Sequence, residues 1–383
     1  MKPKFFTALT LLVSLLPLAA SAQPLSPTLQ IADRYIFDRC GFPLVLRGLE
    51  QNQSINVNAG TIINGSWDAV VDQLDTTRAN QMRIILEDVS VAQTRGMIER
   101  AVSKNIIVEI HTSIGYYGQA AVQQMVAANK THLILGIFGE PAYNDRTLWQ
   151  QQTMSALNQI RAWGYDCPVL IMANNYGRDL PSVLQYGQTL VNADPLHKVI
   201  MGWQAYWGAS NWYQGLYGMT FQQAMTQITA QHFPIQVGIT GDADIPPDPI
   251  DYRLLMSLTR QYGISTHFWD YYSRNPGDPN LLANRNMTTG VWGMSPMGQV
   301  VLQTDPNSIW NQNVSRPCTT VACYANCDGS TGNPALNAND FQCFLGKYVA
   351  GDIYANCDGS TGNPALSAND FQCFLGRYVA GCP

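Results

Sequence analysis

Eight short apolar runs, each followed by a helix-like stretch, constrain this chain more than any other feature. The runs are LVLRGL (44–49), MRIIL (82–86), IIVEIH (106–111), LILGIFGE (133–140), PVLIMA (168–173), VIMGWQAY (199–206), PIQVGI (234–239) and THFWDYY (266–272). Between them lie stretches such as SWDAVVDQL (66–74), LWQQQTMSALNQIRAWG (148–164) and PIDYRLLMSLTRQYG (249–263), whose apolar residues recur at three and four. Parallel strands covered on both faces read as continuous apolar runs. Eight strand–helix units over about 280 residues predict an α/β fold, a (β/α)8 TIM barrel. The competing open, doubly wound sheet would carry a Gly-rich phosphate turn after its first strand, and RGLEQNQS is not one.

The ends of the chain read differently. Lys2 and Lys4, the apolar stretch after them and Ala20-Ser21-Ala22 predict a signal peptide over 1–22, too short for a membrane span. The barrel is expected over 23–303, and TDPNSIWNQNVSRPCTT within 304–320 reads as a linker. Residues 321–383 hold two repeats, 324–352 and 354–382, which differ only at Asn337/Ser367, Lys347/Arg377 and Asp352/Cys382. Each unit is too small to bury a core alone, so the two should pack as a pair. Of nine cysteines, seven follow Pro317, which suits an exported, disulfide-containing chain. Cys327 with Cys343 and Cys357 with Cys373 are the simplest bridges, although spacing does not fix connectivity.

Function should reside where the strands end, at the C-terminal face of the barrel. The runs deliver Glu50, then Arg83 with Glu87 and Asp88, His111, Glu140, Asn174 with Asn175, Gln204 with Tyr206 and Trp207, Asp242 with Asp244, and Trp269 with Asp270. Carboxylates, amides and aromatic rings together suit a sugar cleft: rings stack on sugar faces and polar groups pair with hydroxyls. A net charge of −5 without a basic patch argues against nucleic acid. No Cys/His cluster has zinc spacing, and no Gly-rich loop fits a nucleotide, so no cofactor is expected in the barrel.

RIIL at 83–86, VEIH at 108–111, GEP at 139–141, QAY at 204–206, QVGITG at 236–241 and the strand bearing Trp269 occur in the order seen in glycoside hydrolase family 5. The chain resembles that family, its bacterial β-mannanase-like members most, over roughly residues 30–302. The resemblance implies hydrolysis of β-linked mannan or glucan with retention of configuration. It maps the general acid/base onto Glu140 and matches Arg83, His111, Tyr206 and Trp269, while Gln204 and Trp207 join the substrate-binding candidates as residues at the tip of the sixth run. It also places Ile239 where the family keeps its glutamate nucleophile, Gly139 before the acid/base, and Gln204 where the family has histidine.

Retaining hydrolysis needs two carboxyl groups roughly 5–5.5 Å apart. Isoleucine cannot attack an anomeric carbon, and no Glu lies between Glu140 and Cys318 to rescue a shifted register. Three readings follow, one of them a different register at the seventh strand, against which Gly238 and Gly241 bracket the site. Another carboxylate serves, with Asp242, Glu87 and Glu50 as candidates; a spacing of roughly 6.5–9.5 Å would give an inverting route. Otherwise the barrel binds glycan without cleaving it. Asp242 and Asp244 also suit a turn in GDADIPPD, and Glu87 suits a helix N-terminus. Arg83, inside an apolar strand, needs a carboxylate partner, and Glu50 or Glu87 is expected to supply it.

Asn326-x-Asp328-Gly329 and Asn356-x-Asp358-Gly359 resemble the start of an EF-hand-type calcium loop, and LNAND and LSAND resemble its end. The pair is similar to duplicated dockerin modules. That resemblance implies calcium at Asn326, Asp328, Asp340, Asn356, Asp358 and Asp370, and a cohesin-like or cell-surface scaffold as partner.

Overall fold

A computed structural model describes residues 28–51, 67–85, 91–137, 141–205, 218–240, 251–272, 283–285, 292–318, 324–330, 336–357 and 366–380. They fall into two compact units, a large one containing the barrel and a small one containing the repeats.

In the large unit, three short strands come first: β1 (Gln30–Ala32), β2 (Tyr35–Phe37) and β3 (Pro43–Leu44), paired antiparallel. Eight more follow: β4 (Arg47–Gln51), β5 (Gln81–Ile85), β6 (Ile107–Thr112), β7 (Leu133–Ile137), β8 (Val169–Met172), β9 (Val199–Ala205), β10 (Ile235–Thr240) and β11 (Thr266–Tyr272). Consecutive strands pair in parallel, and β11 returns to β4, so the sheet closes into the expected barrel. Helices at Trp67–Thr76, Val91–Ser103, Arg146–Ala162, Leu180–Ala193, Phe221–Thr229 and Tyr252–Gln261 alternate with the strands.

Strand alternation divides each run between two environments. Val108, Ile110, Leu133, Leu135, Ile137, Val237 and Ile239 join helix residues such as Leu157 and Leu255 in the apolar layer outside the barrel. Ile107, Ile134, Leu170 and Ile200 point inward at the N-terminal end of the strands, where Leu29, Ile36, Leu44 and Leu46 meet them. The hairpin β1–β3 therefore plugs the bottom of the barrel with apolar side chains.

The segment read as a linker instead straps onto the barrel. Ile309 is buried, and Gln312 Oε1 accepts from Arg47 Nε at 2.6 Å. Ser315 O accepts from Asn80 Nδ2 at 2.8 Å, and Arg316 pairs with Asp75. Its lack of periodicity is real, but its polar groups satisfy the buried side chains of Arg47 and Asn80 at the barrel's lower rim. Cys318 then bridges to Cys40 on the plug, a pairing the spacing had not suggested. Asp38 reinforces it: Oδ1 accepts from the amides of Cys40 and Phe42, both at 2.9 Å, and Oδ2 from that of Cys318 at 2.9 Å. Cys167 is buried as a free thiol, and burial pushes its pKa up to about 12.

The small unit pairs its repeats as expected. Helices Ala338–Val349 and Ala368–Ala380 bring Phe344 and Phe374 into a stack with centroids 4.0 Å apart. Tyr324 and Tyr354 stack at 4.9 Å, and each hydroxyl donates to the other residue's carbonyl. Both anticipated bridges, Cys327–Cys343 and Cys357–Cys373, are present. No described helix is long and apolar enough to cross a membrane.

Candidate active site

Above the apolar plug, the inward side chains of the barrel become polar. Arg83 on β5 is fully buried, and its expected carboxylate partner is Glu50 on β4, with Nη1 3.2 Å from Oε2. A second carboxylate, Glu109 on β6, is Arg83's register partner, with Oε1 3.4 Å from Nε. Glu109 is the hub of this layer. Its Oε1 also accepts from His111 Nε2 at 2.5 Å, while Oε2 accepts from Gln81 Nε2 at 2.6 Å and Gln236 Nε2 at 2.7 Å. Three hydrogen bonds and the Arg83 charge, from three strands, thus converge on one carboxylate.

The electrostatics follow from that convergence. Burial alone would raise the Glu109 pKa, but the hydrogen bond from His111 and the Arg83 charge outweigh it and hold the carboxyl at about 2. His267 on β11 contacts Arg83 and lies 3.5 Å from Glu50. Burial first, and then the Arg83 charge, push its pKa well below the ordinary histidine value, so it is neutral. Room for the rings comes from glycine. A Cβ on Gly136 would sit 2.6 Å from the His111 ring, and one on Gly238 would sit 2.7 Å from His267 Nε2.

Gly238 also fixes the direction of its neighbour. Because Gly238 faces His267 and Gln204 inside the barrel, Ile239 faces the helices, and it is buried in the outer layer with Val237. Ile239, expected where the resembled family keeps its nucleophile, is therefore not a gap in the cleft wall. The inward residues of β10 that are described are Gln236 and Gly238, and the strand contains no Asp or Glu at any position.

Of the other expected site residues, Gln204 lies on β9 beside Gly238, 7% exposed. Trp269 lies on β11, paired through its backbone with Thr240. Glu87, Glu140, Tyr206, Trp207, Asp242 and Asp358 lie outside the described residues. The segment following Glu140 is pinned: Asn174 Oδ1 accepts from the Tyr143 amide at 2.9 Å, and Asn174 Nδ2 donates to the Tyr143 carbonyl at 3.1 Å.

Sequence reading missed Glu109, Gln81, Gln236 and His267. The signal was present: Gln81 precedes Arg83 by two and Glu109 precedes His111 by two, so each pair shares one face of its strand.

Among the described residues, one group of three His, Cys, Asp or Glu side chains comes close enough to share a cation: Asp38, Cys40 and Cys318. Its cysteines form a disulfide and its carboxylate accepts backbone amides, which leaves no metal site there. In the first repeat, Asp340 Oδ1 accepts from the Asp328 amide at 3.2 Å and Oδ2 from the Asn337 amide at 2.8 Å. Asn326 Oδ1 is shielded and accepts no hydrogen bond among the described residues. Calcium takes carboxylate and amide oxygens of these types, although both Asp340 oxygens already serve backbone amides.

No protein-family profile matches the chain. Over 300 residues it is 21% identical to the mannan endo-1,4-beta-mannosidase of Cellvibrio japonicus (strain Ueda107), covering 70% of this chain and 65% of that protein. Over 185 residues it is 22% identical to the beta-mannanase/endoglucanase A of Caldicellulosiruptor saccharolyticus, covering 44% of this chain and 13% of that protein. The chain therefore spans less than two thirds of the length of either relative. Among solved structures, the catalytic domain of a mannanase from Streptomyces sp. SirexAA-E superposes with a TM-score of 0.62 at 19% identity, over 83% of this chain and 99% of that one. A beta-mannanase from Streptomyces thermolilacinus with mannohexaose gives 0.62 at 16% identity, over 74% and 95%. In fold, the barrel of this chain is similar to the catalytic domains of β-mannanases.

Proposed function

We propose that this is an exported protein whose barrel acts on β-linked polysaccharide of the mannan or glucan class, hydrolysing glycosidic bonds with Glu140 as proton donor. The observation that carries the reading is the buried layer around Glu109, which holds Arg83 and His111 in fixed positions beneath the C-terminal face of a mannanase-like barrel. Fixed polar groups of this kind need no reorganisation when a substrate arrives.

The second carboxylate decides the route. Glu50 is 2% exposed and paired with Arg83, so it is a charge partner rather than a nucleophile. Asp242 and Glu87 remain. A base on the loop after β10, beyond the family position, would activate water rather than attack the sugar, giving an inverted product.

A second reading is glycan binding without cleavage. It is favoured by the absence of any carboxylate on β10 and by the engagement of both Glu50 and Glu109 with Arg83. A reducing-sugar assay on mannan and cellulose, with wild type and Glu140→Gln, separates the two. Release abolished by Glu140→Gln supports hydrolysis. No release by wild type, with retardation kept in affinity gels, supports binding alone. Release unaffected by the substitution refutes the acid assignment.

In this reading the paired repeats anchor the protein to a cohesin-like or cell-surface scaffold. Asn326, Asp328 and Asp340, with Asn356, Asp358 and Asp370 in the second repeat, would hold calcium, whose charge would draw each loop together.

A further inference from the structure

The loop after β8 carries a backbone feature that the polar layer does not explain. Asn175, Tyr176 and Gly177 are all left-handed, with φ of 53°, 58° and 80°. Asparagine tolerates that region and glycine enters it freely, but a tyrosine there is costly, because its Cβ crowds the following carbonyl. The loop is held in place nonetheless. The Tyr176 amide donates to the Pro141 carbonyl at 2.9 Å, Gly177 donates to Ala173 at 3.1 Å, and Gln204 donates to the Gly177 carbonyl at 2.8 Å. These bonds tie Tyr176 to the strand exits on either side, one of them at the residue directly after Glu140.

The strained tyrosine is also the wet one. Tyr176 is 45% exposed, among the most exposed large side chains of the barrel unit. The Arg178 guanidinium lies 5.2 Å from its ring centroid, and exposed Asn175 stands beside it in the chain. A ring that served packing would be buried, and a residue that served only the turn would be Asn or Gly. Held residues in sparsely populated backbone regions cluster at binding sites, because the surrounding fold must keep them there.

We propose that Tyr176 is a sugar-stacking platform at the mouth of the barrel, with Arg178 and Asn175 supplying hydrogen-bond donors to the hydroxyls of a β-linked hexose unit. The proposal rests on the reading that the barrel takes glycan and adds the position where one unit of the chain sits. An aromatic ring contributes a flat apolar face at little conformational cost, and the left-handed backbone sets its direction.

The test is calorimetric titration of the full chain with mannohexaose and with cellohexaose, alongside thermal melting. Tyr176→Gly relieves the backbone, so it should melt no lower than wild type while binding the preferred hexaose roughly 5- to 10-fold more weakly. Tyr176→Ala should weaken binding similarly, and Tyr176→Trp, which keeps a flat ring, should bind within about twofold of wild type. Wild-type affinity in both Tyr176→Gly and Tyr176→Ala overturns the platform while leaving the glycan reading intact. Failure of wild type to bind either hexaose overturns both.

Discussion

His111 Nε2 lies 2.5 Å from Glu109 Oε1, a residue two positions earlier on the same strand and on the same inward face. That pair joins a carboxylate that also meets Arg83, so its loss should be felt across the barrel. Glu109→Gln leaves Arg83 with one carboxylate instead of two in a dry interior. Removing one partner of a buried ionic group costs about 3–5 kcal/mol. Denaturant unfolding should show a loss of that order, and activity or glycan affinity should fall with it.

The pH dependence of the same residue has a definite sign. The folded Glu109 carboxyl sits at about 2, below its ordinary value of 4.5. A carboxyl lowered on folding stabilises the protein above its unfolded pKa, and the contribution is lost as pH falls through the folded one. The stability gap between wild type and Glu109→Gln should therefore be full above about pH 5 and shrink by up to roughly 3 kcal/mol toward pH 2. A gap that stays constant over that window would show that folding does not lower the Glu109 pKa.

Ile239→Glu would test the expectation that position 239 matches the nucleophile position of the resembled family. The substitution should fail, because position 239 faces the helices, in the apolar layer that also holds Val237 and Leu255. An unpaired carboxylate in that layer should lower stability by about 3–5 kcal/mol and add no activity, as read by melting and reducing-sugar release. Restored turnover would mean that the end of β10 turns its side chains the other way.

Cys40 and Cys318 are 278 residues apart in sequence and join the plug to the strap. Replacing both with serine removes a constraint on a very long loop of the unfolded chain, worth about 3–5 kcal/mol. Thermal melting should show it in the barrel transition. Asp38→Ala should add to it, because that carboxylate accepts amides from both partners of the bridge.

Calcium should raise the melting temperature of the repeat unit by several degrees relative to chelator, and Asp328→Ala should abolish the effect. Asp328 is exposed, so its removal costs the apo unit little. Identical melting in calcium and chelator would leave the disulfides as the sole staples.

The barrel was legible because each parallel strand is an apolar run bracketed by polar turns, and every run coincided with a strand to within three residues. The polar layer was half legible. Arg83 announced itself as a charge in an apolar strand, and the need for a partner led to Glu50. Glu109 and His267 did not stand out, because each is one polar residue in a run scanned for its apolar neighbours and its end. Alternation would also have shown Ile239 facing outward, had the strand been read from Gln236. The strap was illegible for a different reason. Arg316 and Gln312 bond to residues more than two hundred positions away, and no local pattern encodes such contacts.

The crossed tyrosines of the repeats carry a consequence for how this module can be inherited. Each hydroxyl depends on the carbonyl of the other unit, and Phe344 depends on Phe374 for its cover. A lone repeat would expose both rings. The smallest portable piece is therefore the doublet.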